Sequence, residues 1–365
     1  MGMYSFNQQK IIKGVSLFSG AGIGETFLSD IGIDIVVANE LVKKRADLYK
    51  SLYTNRDIIC GDITDESVFG RILSLSKERE VEFLLASPPC QGLSVAGKNR
   101  KQNQVENDSR NYLISYVIDL IKLIKPKYIL IENVPMLLKM KILFGGKLKS
   151  VPEILNNNFS GEYRIEYDTL NSANYGVPQT RKRAIIKMCL KTLTWNSPKV
   201  EPKVITVKDA IGHLPSLESG EISEIKWHYA RKHTDDNIRW MKHTPTGCTA
   251  FNNEIHFPQK KDGTRIKGYE SSYRRIRWDA PAPTITTRSD CIASQRNVHP
   301  GRLKSDGTYS DSRVLTPLEL MILNSLPHNW NIPKDTPELL IRQCIGESIP
   351  PLMLKKILEG VTHEN

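Results

Sequence analysis

The stretch LFSGAGIGE, residues 17–25, joins an apolar, strand-like run to a loop in which glycine recurs at every second position. Glycines at such a junction allow a tight turn and the close approach of a ligand to the backbone. The dinucleotide fingerprint needs glycine where Glu25 stands, and no Walker lysine follows, so NAD and ATP are disfavoured. Taken alone, the stretch also fits a plain turn between a strand and a helix. The three glycines are Gly20, Gly22 and Gly24.

Apolar runs of strand length recur through the first half of the chain. Helical patterns lie between several of them, and the clearest, at 111–124, has apolar residues at helical spacing and is followed by Pro126. Alternation of strands and helices predicts an α/β fold with a doubly wound, mostly parallel sheet. Ligands of such sheets bind at the carboxyl ends of the strands. The strand-like runs are 14–18, 35–39, 57–62, 82–87, 128–133, 164–170 and 183–189.

The character of the sequence changes near residue 190, where the alternation stops and prolines, glycines and basic residues become frequent. We therefore predict a regular domain over residues 1–190 and a smaller, irregular, β-containing domain over 191–325. A C-terminal segment, 326–365, is expected to pack back on the first domain. Helical patterns return at 315–326 and 350–360.

The overall charge and the cysteines narrow the classes of function. Lys and Arg number 51 against 40 Asp and Glu, a net charge of +11, which favours polyanionic partners, although an inert basic surface is the alternative. No apolar run approaches the ~18 residues of a membrane span, and no signal peptide is evident, so a cytoplasmic protein is expected. The six cysteines form no C-x-x-C pair, which argues against a zinc site, and no metal is expected.

One cysteine, Cys90, stands in ASPPCQGLS, residues 86–94, directly after the fourth strand-like run. Most cysteines are small buried hydrophobic residues, and that is the alternative here. The double proline and the polar, basic stretch at 97–110 favour a loop instead. A thiol at a strand end facing such a loop is well placed for nucleophilic chemistry.

Acidic and basic side chains follow several of the predicted strands. Glu40 lies after the second run, where such folds read a ribose hydroxyl, and Asp62 ends the third. Together with the glycine loop they suggest an adenosine-containing cofactor without a pyrophosphate, although each acid also fits a helix N-cap. Glu132 ends the fifth run, where an acid is expensive to bury unless it is paired or used. Arg181 and Arg183 lead into the last run, and their alternation places both on one face of a strand or along a solvated edge.

The order and spacing of eight motifs resemble those of the DNA cytosine-5 methyltransferase family, of the prokaryotic restriction–modification type, over nearly the whole chain. Two departures are visible. Glu347 stands where the family usually has asparagine, and LNSLP, residues 323–327, stands where LQGFP is usual. The motifs are LFSGAGIGE, NE (39–40), GDI (61–63), SPPCQGLS (87–94), ENV (132–134), QTRKR (179–183), RWDAPAPTITT (277–287) and IGESIPP (345–351).

The resemblance implies methyl transfer from S-adenosylmethionine to C5 of a cytosine within a specific duplex DNA sequence. It implies that Cys90 attacks C6 of a flipped-out cytosine as a thiolate. By the same resemblance, Glu132 binds and protonates the ring near N3, and Arg183 holds the cytosine O2. Arg181 would order Glu132 and the loop, and Asn133 would shape the same strand end.

The resemblance also assigns the cofactor contacts. Phe18 would pack on the adenine, Glu40 would bind the ribose hydroxyls, and Asp62 with Ile63 would read the adenine side. The glycines would approach the methionine part, and Ser348 would close the site from the C-terminal motif. The implied cofactor residues are Phe18, Gly20, Gly22, Gly24, Glu40, Asp62, Ile63, Pro88, Leu113 and Ser348.

The segment between QTRKR and PAPTITT is expected to be the target-recognition domain. Its basic side chains, aromatics and glycine turns suit phosphate binding and base reading. The chain is expected to be a monomer, in the prokaryotic cytoplasm and associated with the nucleoid. Its expected partners are double-stranded DNA and, in function, a cognate restriction endonuclease. The expected DNA contacts are Gln91, Ser94, Lys98, Arg100, Arg275, Arg277 and Thr286.

Two other classes of protein are the alternatives. A DNA-binding regulator that kept the fold and lost catalysis is disfavoured by the intact Cys90, Glu132 and Arg183. An RNA methyltransferase is the second, because one branch of the family modifies tRNA. That branch typically carries a Cys-Phe-Thr motif in its small lobe, and the sequence contains none.

Overall fold

The computed structural model describes residues 11–89 and 113–361, and the chain forms two compact units. The first unit comprises Met1–Leu170, Lys182–Lys199 and Leu354–Asn365, and the second comprises Asn171–Arg181 and Val200–Met353. The functional domain boundaries at residues 190 and 325 stay predictions. Within the described ranges, no helix combines the length and the apolar character that a membrane span requires.

A mostly parallel sheet forms the centre of the first unit. Its strands are β1 (Ile12–Leu17), β2 (Ile33–Glu40), β3 (Asp57–Cys60), β4 (Phe83–Ala86), β5 (Tyr128–Asn133), β8 (Tyr163–Asn171) and β9 (Lys182–Leu190). Over the described residues the order is β3-β2-β1-β4-β5-β9-β8. The pairs β3–β2, β2–β1, β1–β4 and β4–β5 are parallel, and β9 runs antiparallel to β5. The predicted α/β fold with a mostly parallel sheet is confirmed.

Each strand-like run of the sequence became a strand of this sheet because both faces of a parallel sheet are covered. All six residues of β5 are buried, and β4 is buried throughout. The chain moves from β1 outward to β2 and β3, and then returns to β4 on the other side of β1. Open α/β sheets bind their ligands beyond the carboxyl ends of the strands at such a reversal. The glycine loop follows β1 at that point, and Pro88 follows β4.

Four described helices belong to the first unit: α1 (Lys43–Leu52), α2 (Glu66–Glu78), α3 (Leu113–Ile124) and α4 (Val151–Phe159). The helical pattern predicted at 111–124 is confirmed over its described part, α3. The buried residues of α3 recur every three or four positions, so that one stripe packs on the sheet. They are Ile114, Val117, Ile118, Leu120 and Ile121.

A second, two-stranded sheet was missed by the sequence analysis. Its strands are β6 (Lys141–Phe144) and β7 (Lys147–Ser150), which pair antiparallel and precede α4. Lysine is a poor strand former, so the lysine-rich pattern of this segment gave no strand signal. At the other end of the unit, the indole N–H of Trp195 donates to the carbonyl of Ile357 at 2.9 Å and ties the end of the chain to the exit of β9.

The second unit is largely irregular. Its described helices are α5 (Val207–Ile211), α6 (Asp235–Lys242), α7 (Pro317–Leu323) and α8 (Glu338–Glu347), and α9 (Pro351–Leu358) begins there and ends in the first unit. Between residues 200 and 316 the described residues form no extended strand, and their β-pairing is limited to isolated bridges. The helical patterns at 315–326 and 350–360 are confirmed as α7 and α9, and α8 was not predicted. Every residue of α7 is buried.

A group of buried charges stabilises the second unit beside α7. The guanidinium of Arg313 donates to both oxygens of Glu319, at 2.8 and 2.9 Å, and to Asp311 at 2.9 Å. All three side chains are at most 1% exposed. Burial acts to raise the pKa of Glu319, but the charge of Arg313 and the hydrogen bonds that it donates hold that pKa well below its usual value. The carboxylates therefore stay ionised in the folded protein.

Two histidines beside this group are neutral for a geometric reason. The backbone N–H of Gly301 donates to Nδ1 of His299 at 3.1 Å, and that of Val314 donates to Nε2 of His233 at 3.2 Å. A ring nitrogen that accepts a hydrogen bond carries no proton. Burial, with Arg313 nearby, lowers the pKa of His299 to about 3. Burial, with Arg231 nearby, lowers the pKa of His233 to about 4.

These histidines predict a loss of stability on mild acidification. In the unfolded chain a histidine takes up a proton near pH 6.5, whereas the folded pKa values are lower, so the unfolded state binds more protons as the pH falls. We expect the free energy of unfolding to fall between pH 6.5 and 5, by up to about 1.4 kcal/mol per pH unit from His299. Urea denaturation at a series of pH values measures this slope. His233→Gln should reduce the slope, whereas His213→Gln, at an exposed position of the same unit, should leave it unchanged. A stability independent of pH in this window would contradict the assignment.

Candidate active site

The end of β2 is joined to the glycine loop by one carboxylate. Glu40 is 5% exposed. Its Oε2 accepts the backbone N–H of Gly20 at 2.9 Å, and its Oε1 accepts that of Val42 at 2.8 Å. Each carboxylate oxygen can accept a second hydrogen bond, so Glu40 retains capacity for a hydroxyl donor. The ribose contact expected at Glu40 stays a prediction.

The loop after β1 adopts conformations that most residues avoid. Phe18 has φ +59°, and Gly20 and Gly22 have φ +58° and +71°. A Cβ built on Gly20 meets no atom within 4 Å, whereas one on Gly22 lies 2.5 Å from the ring of Tyr53 and 2.7 Å from that of Tyr49. Gly22 is therefore required by packing, and Gly20 faces open space. A left-handed phenylalanine is a strained conformation of the kind found at functional sites.

The sequence analysis missed the group that supports this loop. Glu25 is buried, and its Oε2 accepts the hydroxyl of Tyr49 at 2.6 Å and Nη1 of Arg56 at 2.7 Å. The hydroxyl of Tyr53 donates to the carbonyl of Gly22 at 2.7 Å. Burial raises the pKa of Glu25, against the opposing charge of Arg56. In the sequence, Glu25 argues only against NAD binding. Its mismatch with the dinucleotide fingerprint is the one sequence signal that this position has a different role.

The remaining cofactor candidates of the first unit lie at the same ends of the strands. Asp62 is exposed two residues after β3, and its Oδ1 accepts the backbone N–H of Thr64 at 2.9 Å. Ile63 and Pro88 are buried, and Leu113 begins α3 as described. Their cofactor roles, like those of Phe18, Gly24 and the rest of the set, stay predictions.

The end of β5 carries a close pair of opposite charges. Nε of Arg183 lies 2.8 Å from Oε1 of Glu132, and the two side chains are 12% and 7% exposed. The N–H of Arg183 does not point along this line, so Oε1 of Glu132 has no aligned donor among the described residues. In the sheet Glu132 lies opposite Ile185, which places Arg183 diagonally across from it. A buried carboxylate without an aligned donor can take one from a ligand.

Asn133 fixes the chain on the approach to Cys90. Its amide Nδ2 donates to the carbonyl of Pro88 at 2.9 Å, and its Oδ1 accepts the backbone N–H of Val134 at 2.8 Å. This amide joins the exit of β4 to the exit of β5, next to Glu132. Cys90 itself lies outside the described residues, as do the expected DNA contacts Gln91, Ser94, Lys98 and Arg100.

In the second unit a chain of amide and hydroxyl groups links three of the motifs. Nε2 of Gln179 donates to Oδ1 of Asn324 at 3.0 Å, and Nδ2 of Asn324 donates to Oγ of Ser348 at 3.1 Å. Oε1 of Gln179 accepts the backbone N–H of Ile285 at 3.0 Å. Ser348, an expected cofactor contact, is thus oriented through Asn324, which departs from the usual family motif. Glu347, the other departure, is exposed at the end of α8.

The second residue at which LNSLP departs from the family motif, Ser325, makes a hydrogen bond of its own. Ser325, where the family usually has glycine, has φ +62°, a conformation that favours glycine. Its Oγ accepts the backbone N–H of Leu352 at 3.2 Å, a bond that glycine cannot make. This hydrogen bond offsets part of the strain and connects the end of α7 with α9.

Arg181 and Arg183 have different partners. Arg181 is 1% exposed, and its guanidinium donates to the carbonyls of Ile285 and Gly346, at 2.9 and 2.8 Å. It therefore joins the PAPTITT segment to the end of α8. Gly346 leaves no room for a Cβ there, because its neighbours are the backbone atoms of Thr286 and Thr287. Thr286, an expected DNA contact, thus lies in a tightly packed segment.

The structure contradicts the expected DNA contact at Arg275. Its side chain is fully buried, and it donates to four backbone carbonyls and to the hydroxyl of Ser312. Burial lowers its pKa to about 10. The basic composition of the segment suggests a surface position for Arg275. In the structure, however, all three nitrogen atoms of its guanidinium donate to groups within the protein, so none is left for DNA. The four acceptors belong to Met241, His299, Ser310 and Asp311.

Arg277, two residues on, has the opposite environment. Its side chain is 65% exposed and pairs with Asp279 through Nη2 to Oδ2 at 2.7 Å and Nε to Oδ1 at 2.8 Å. Arg277 remains a candidate for DNA binding, since an exposed pair of this kind exchanges partners at little cost.

Two turns of the second unit share the sequence Lys-x-Asp-Gly-Thr and the same hydrogen bonds, at 260–264 and 304–308. In the second turn Lys304 is held by Glu218 at 2.9 Å. In the first turn Lys260 and Lys261 are exposed and make no ion pair within the described part of the chain. Nine of the ten residues 261–270 are exposed. This stretch is therefore an accessible basic surface within the expected recognition segment.

Comparison with known proteins places this arrangement in context. The family model of the C-5 cytosine-specific DNA methylases matches residues 12–363. The Type II methyltransferase M1.HgaI of Avibacterium volantium is 58% identical over 357 residues, which are 98% of this chain and 100% of that protein. The Type II methyltransferase M1.HphI of Haemophilus parahaemolyticus is 28% identical over 96% of this chain and 87% of its own.

Solved structures agree on the fold. A DNA modification methyltransferase encoded within a prophage of E. coli matches with a TM-score of 0.70 and 20% identity, over 96% of this chain and 98% of that one. The Spodoptera frugiperda DNMT2 mutant structure matches with a TM-score of 0.60 and 18% identity, over 95% and 99%. At these identities the likeness concerns the fold alone.

The contrast between Arg275 and Arg277 gives a prediction. Arg275→Met should lower the free energy of unfolding by about 3 kcal/mol or more, because four buried carbonyls lose their donors. Arg277→Met should leave stability within about 0.5 kcal/mol of the original, because the exposed pair contributes little. Urea denaturation of the two variants measures the difference. Equal stabilities would show that the carbonyls around Arg275 find other donors.

Proposed function

The chain belongs to the C-5 cytosine-specific DNA methylases, and on that basis we propose that it methylates a cytosine within one specific duplex DNA sequence. The methyl donor is S-adenosylmethionine, and the base is flipped out of the helix before it reacts. The reaction passes through a covalent bond between Cys90 and C6. The biological role is that of a Type II restriction–modification methylase, which protects DNA against a cognate endonuclease.

The observation that carries this proposal is the charge pair at the end of β5. The buried carboxylate of Glu132 lies 2.8 Å from Arg183, and one of its oxygens has no aligned donor among the residues that the structure describes. A cytosine ring offers a donor at its amino group, an acceptor at N3 and another acceptor at O2. Glu132 fits the first two and the guanidinium of Arg183 fits O2, so one pair of side chains recognises one edge of the base.

Cys90 supplies the nucleophile in this proposal. It follows Pro88 by two residues, and Pro88 is fixed to Asn133 beside Glu132. The thiolate adds to C6, the electron pair of the C5–C6 bond moves to C5, and Glu132 donates a proton at N3. The nucleophilic C5 then accepts the methyl group. A base removes the C5 proton, the thiolate leaves as the C5–C6 double bond re-forms, and the proton on N3 returns to Glu132.

The carboxyl ends of β1, β2 and β3 fit S-adenosylmethionine, which supplies the methyl group when bound. The open space at Gly20 admits a ligand against the backbone. Glu40 retains acceptor capacity for the ribose hydroxyls, and exposed Asp62 suits the adenine amino group. Phe18, which is partly buried against the apolar cluster that includes Ile63, offers apolar surface for the ring. These acceptors and apolar groups suit an adenosine-containing cofactor without a pyrophosphate.

The second unit carries the proposed DNA-reading surface. Residues 260–269 are exposed and basic, and they include the turn whose lysines lack an acidic partner among the described residues. Arg265 stacks over the ring of Phe257 with 3.7 Å to the centroid, and it donates to the carbonyls of Phe251 and Asn253. These contacts of Arg265 hold the turn in a fixed position, which the reading of DNA bases requires.

The covalent step gives the decisive experiment. Bisulphite sequencing of DNA from cells that express the protein first identifies the methylated site. A duplex with 5-fluorocytosine at that position, together with S-adenosylmethionine, should then trap the protein in a complex that survives denaturing electrophoresis. Fluorine cannot leave C5 as a cation, so the elimination stops. Cys90→Ser should abolish the trap, because a hydroxyl is far less ionised than a thiol near neutral pH.

A matched control separates the nucleophile from cysteines in general. Cys60 is exposed at the end of β3, and Cys60→Ser should be trapped like the original protein. Transfer of labelled methyl groups to duplex DNA, and not to tRNA, should accompany the trap. A denaturant-resistant band with Cys90→Ser, or none with the original protein at its own site, would refute the mechanism.

The two glycines of the loop test the cofactor site. Gly20→Ala should cost about 1 kcal/mol of backbone strain and should weaken S-adenosylmethionine binding, because the added methyl group enters the open space. Gly22→Ala should lower the free energy of unfolding by several kcal/mol, since strain and a clash with two tyrosine rings add together. Urea denaturation and calorimetric titration with the cofactor measure the two effects. Full cofactor affinity in Gly20→Ala would place the cofactor elsewhere.

A further inference from the structure

The β6–β7 hairpin is a concentrated basic feature of the first unit. Residues 134–152 contain four lysines and no acidic residue. The chain leaves β5 at Asn133, forms a short helical turn, and reaches β6 eight residues later. At no more than about 3.6 Å per residue, the hairpin begins within about 30 Å of the end of β5. The lysines are Lys139, Lys141, Lys147 and Lys149.

One side chain anchors the hairpin to the core. Ile142 is 4% exposed and packs in the main apolar cluster of the unit, with Phe144 partly buried against it. Ile142 lies opposite Lys149, and Phe144 lies opposite Lys147. Cross-strand partners share a face, so these two lysines extend from the anchored face and Lys141 from the opposite one. The hairpin thus presents cations on both sides.

The outer face and the tip leave room for a large ligand. Leu143 and Leu148 lie opposite each other, and they are 44% and 51% exposed. The turn is formed by Gly145 and Gly146, with φ +59° and +75°, the conformation of a tight two-residue hairpin. A Cβ built on either glycine meets nothing within 4 Å. A flat or grooved surface can therefore approach the backbone closely at the tip.

The lysines of the hairpin differ from others of the same unit in their partners. Lys127 pairs with Glu82 at 3.0 Å, and Lys187 pairs with Glu166 at 2.7 Å. Lys13 and Lys125 lie within 4 Å of glutamates. Within residues 11–89 and 113–361, no ion pair includes a lysine of the hairpin. Uncompensated cations so close together are relieved by an anionic ligand.

We propose that the β6–β7 hairpin is a DNA-binding element of the catalytic unit that contacts the phosphate backbone of the duplex. The inference rests on the proposed function, because duplex DNA is the polyanion that this enzyme engages. The cations on both faces match a ligand with charge on two strands, and a two-stranded ribbon is narrow enough for a DNA groove. Contacts to phosphates carry no sequence information, so the element adds affinity and leaves the choice of site unchanged.

Lysines also serve to blunt exposed strand edges, and a hairpin has two such edges. That role explains one or two lysines on a short hairpin without any ligand. The two roles differ in one measurable quantity, the dependence of DNA affinity on salt. Phosphate contacts release counterions, whereas edge protection does not involve DNA.

The experiment compares two double variants. Lys141→Ala/Lys147→Ala removes two cations of the hairpin. Lys13→Ala/Lys125→Ala removes two ion-paired cations near the amino ends of β1 and β5, at the edge of the sheet opposite the carboxyl ends of these strands. Affinity is measured by fluorescence anisotropy over a series of salt concentrations, with one duplex that contains the methylated site and one that lacks it. Circular dichroism checks that both variants fold.

The hairpin variant should bind both duplexes more weakly, and the slope of log affinity against log salt should become shallower by about 0.9 for each lost phosphate contact. The control variant should keep the original slope. An unchanged slope in the hairpin variant, or an equal change in both variants, overturns the proposal. A loss confined to the duplex with the site would assign base reading instead and would also overturn it. Absence of DNA methylation by the original protein would refute the proposed function, a separate result.

Discussion

The parallel strands β1 to β5 bring their carboxyl ends to one edge of the sheet, and the proposed chemistry of this protein depends on that constraint. Parallel neighbours need long crossovers, so residues far apart in sequence meet at the strand ends. Glu40 closes β2 and takes the N–H of Gly20 from the end of β1. Asn133 closes β5 and holds Pro88 at the end of β4. Each link needs only one polar side chain, because the sheet has already brought the two backbones together.

The regular part of the fold was predictable from sequence because its signals are local. The β5 run is buried on both faces and reads as a strand without any knowledge of its neighbours. The motifs also located Glu132 and Arg183, but not their 2.8 Å approach, which depends on the register of β9 against β5. The hairpin β6–β7 was not predicted, because its lysines obscure the alternation of apolar and polar residues that indicates a strand. Arg275 was wrongly placed at the surface, since the carbonyls that enclose it come from residues up to 36 positions away.

In the second unit, buried arginine side chains replace the backbone hydrogen bonds that long strands and helices would provide. Irregular backbone leaves carbonyl groups without partners, and buried carbonyls need donors. Arginine side chains provide them, because one guanidinium offers five N–H groups in a fixed plane. Arg275 alone satisfies four carbonyls, and Arg342 donates to those of Ser289 and Leu315. Lysine, with a single flexible ammonium group, cannot replace this arrangement.

The arginine-held interior separates what keeps the second unit folded from what faces outward. The turn at 260–264 closes on itself through the hydrogen bonds of its own Lys, Asp, Gly and Thr residues, and its twin at 304–308 does the same in a different setting. A turn of this kind is an exchangeable part. Its outward residues can be replaced as a cassette while the arginines and their carbonyls stay in place. Under the proposed function, a new sequence preference would then be selected from libraries confined to a few codons of a stable scaffold.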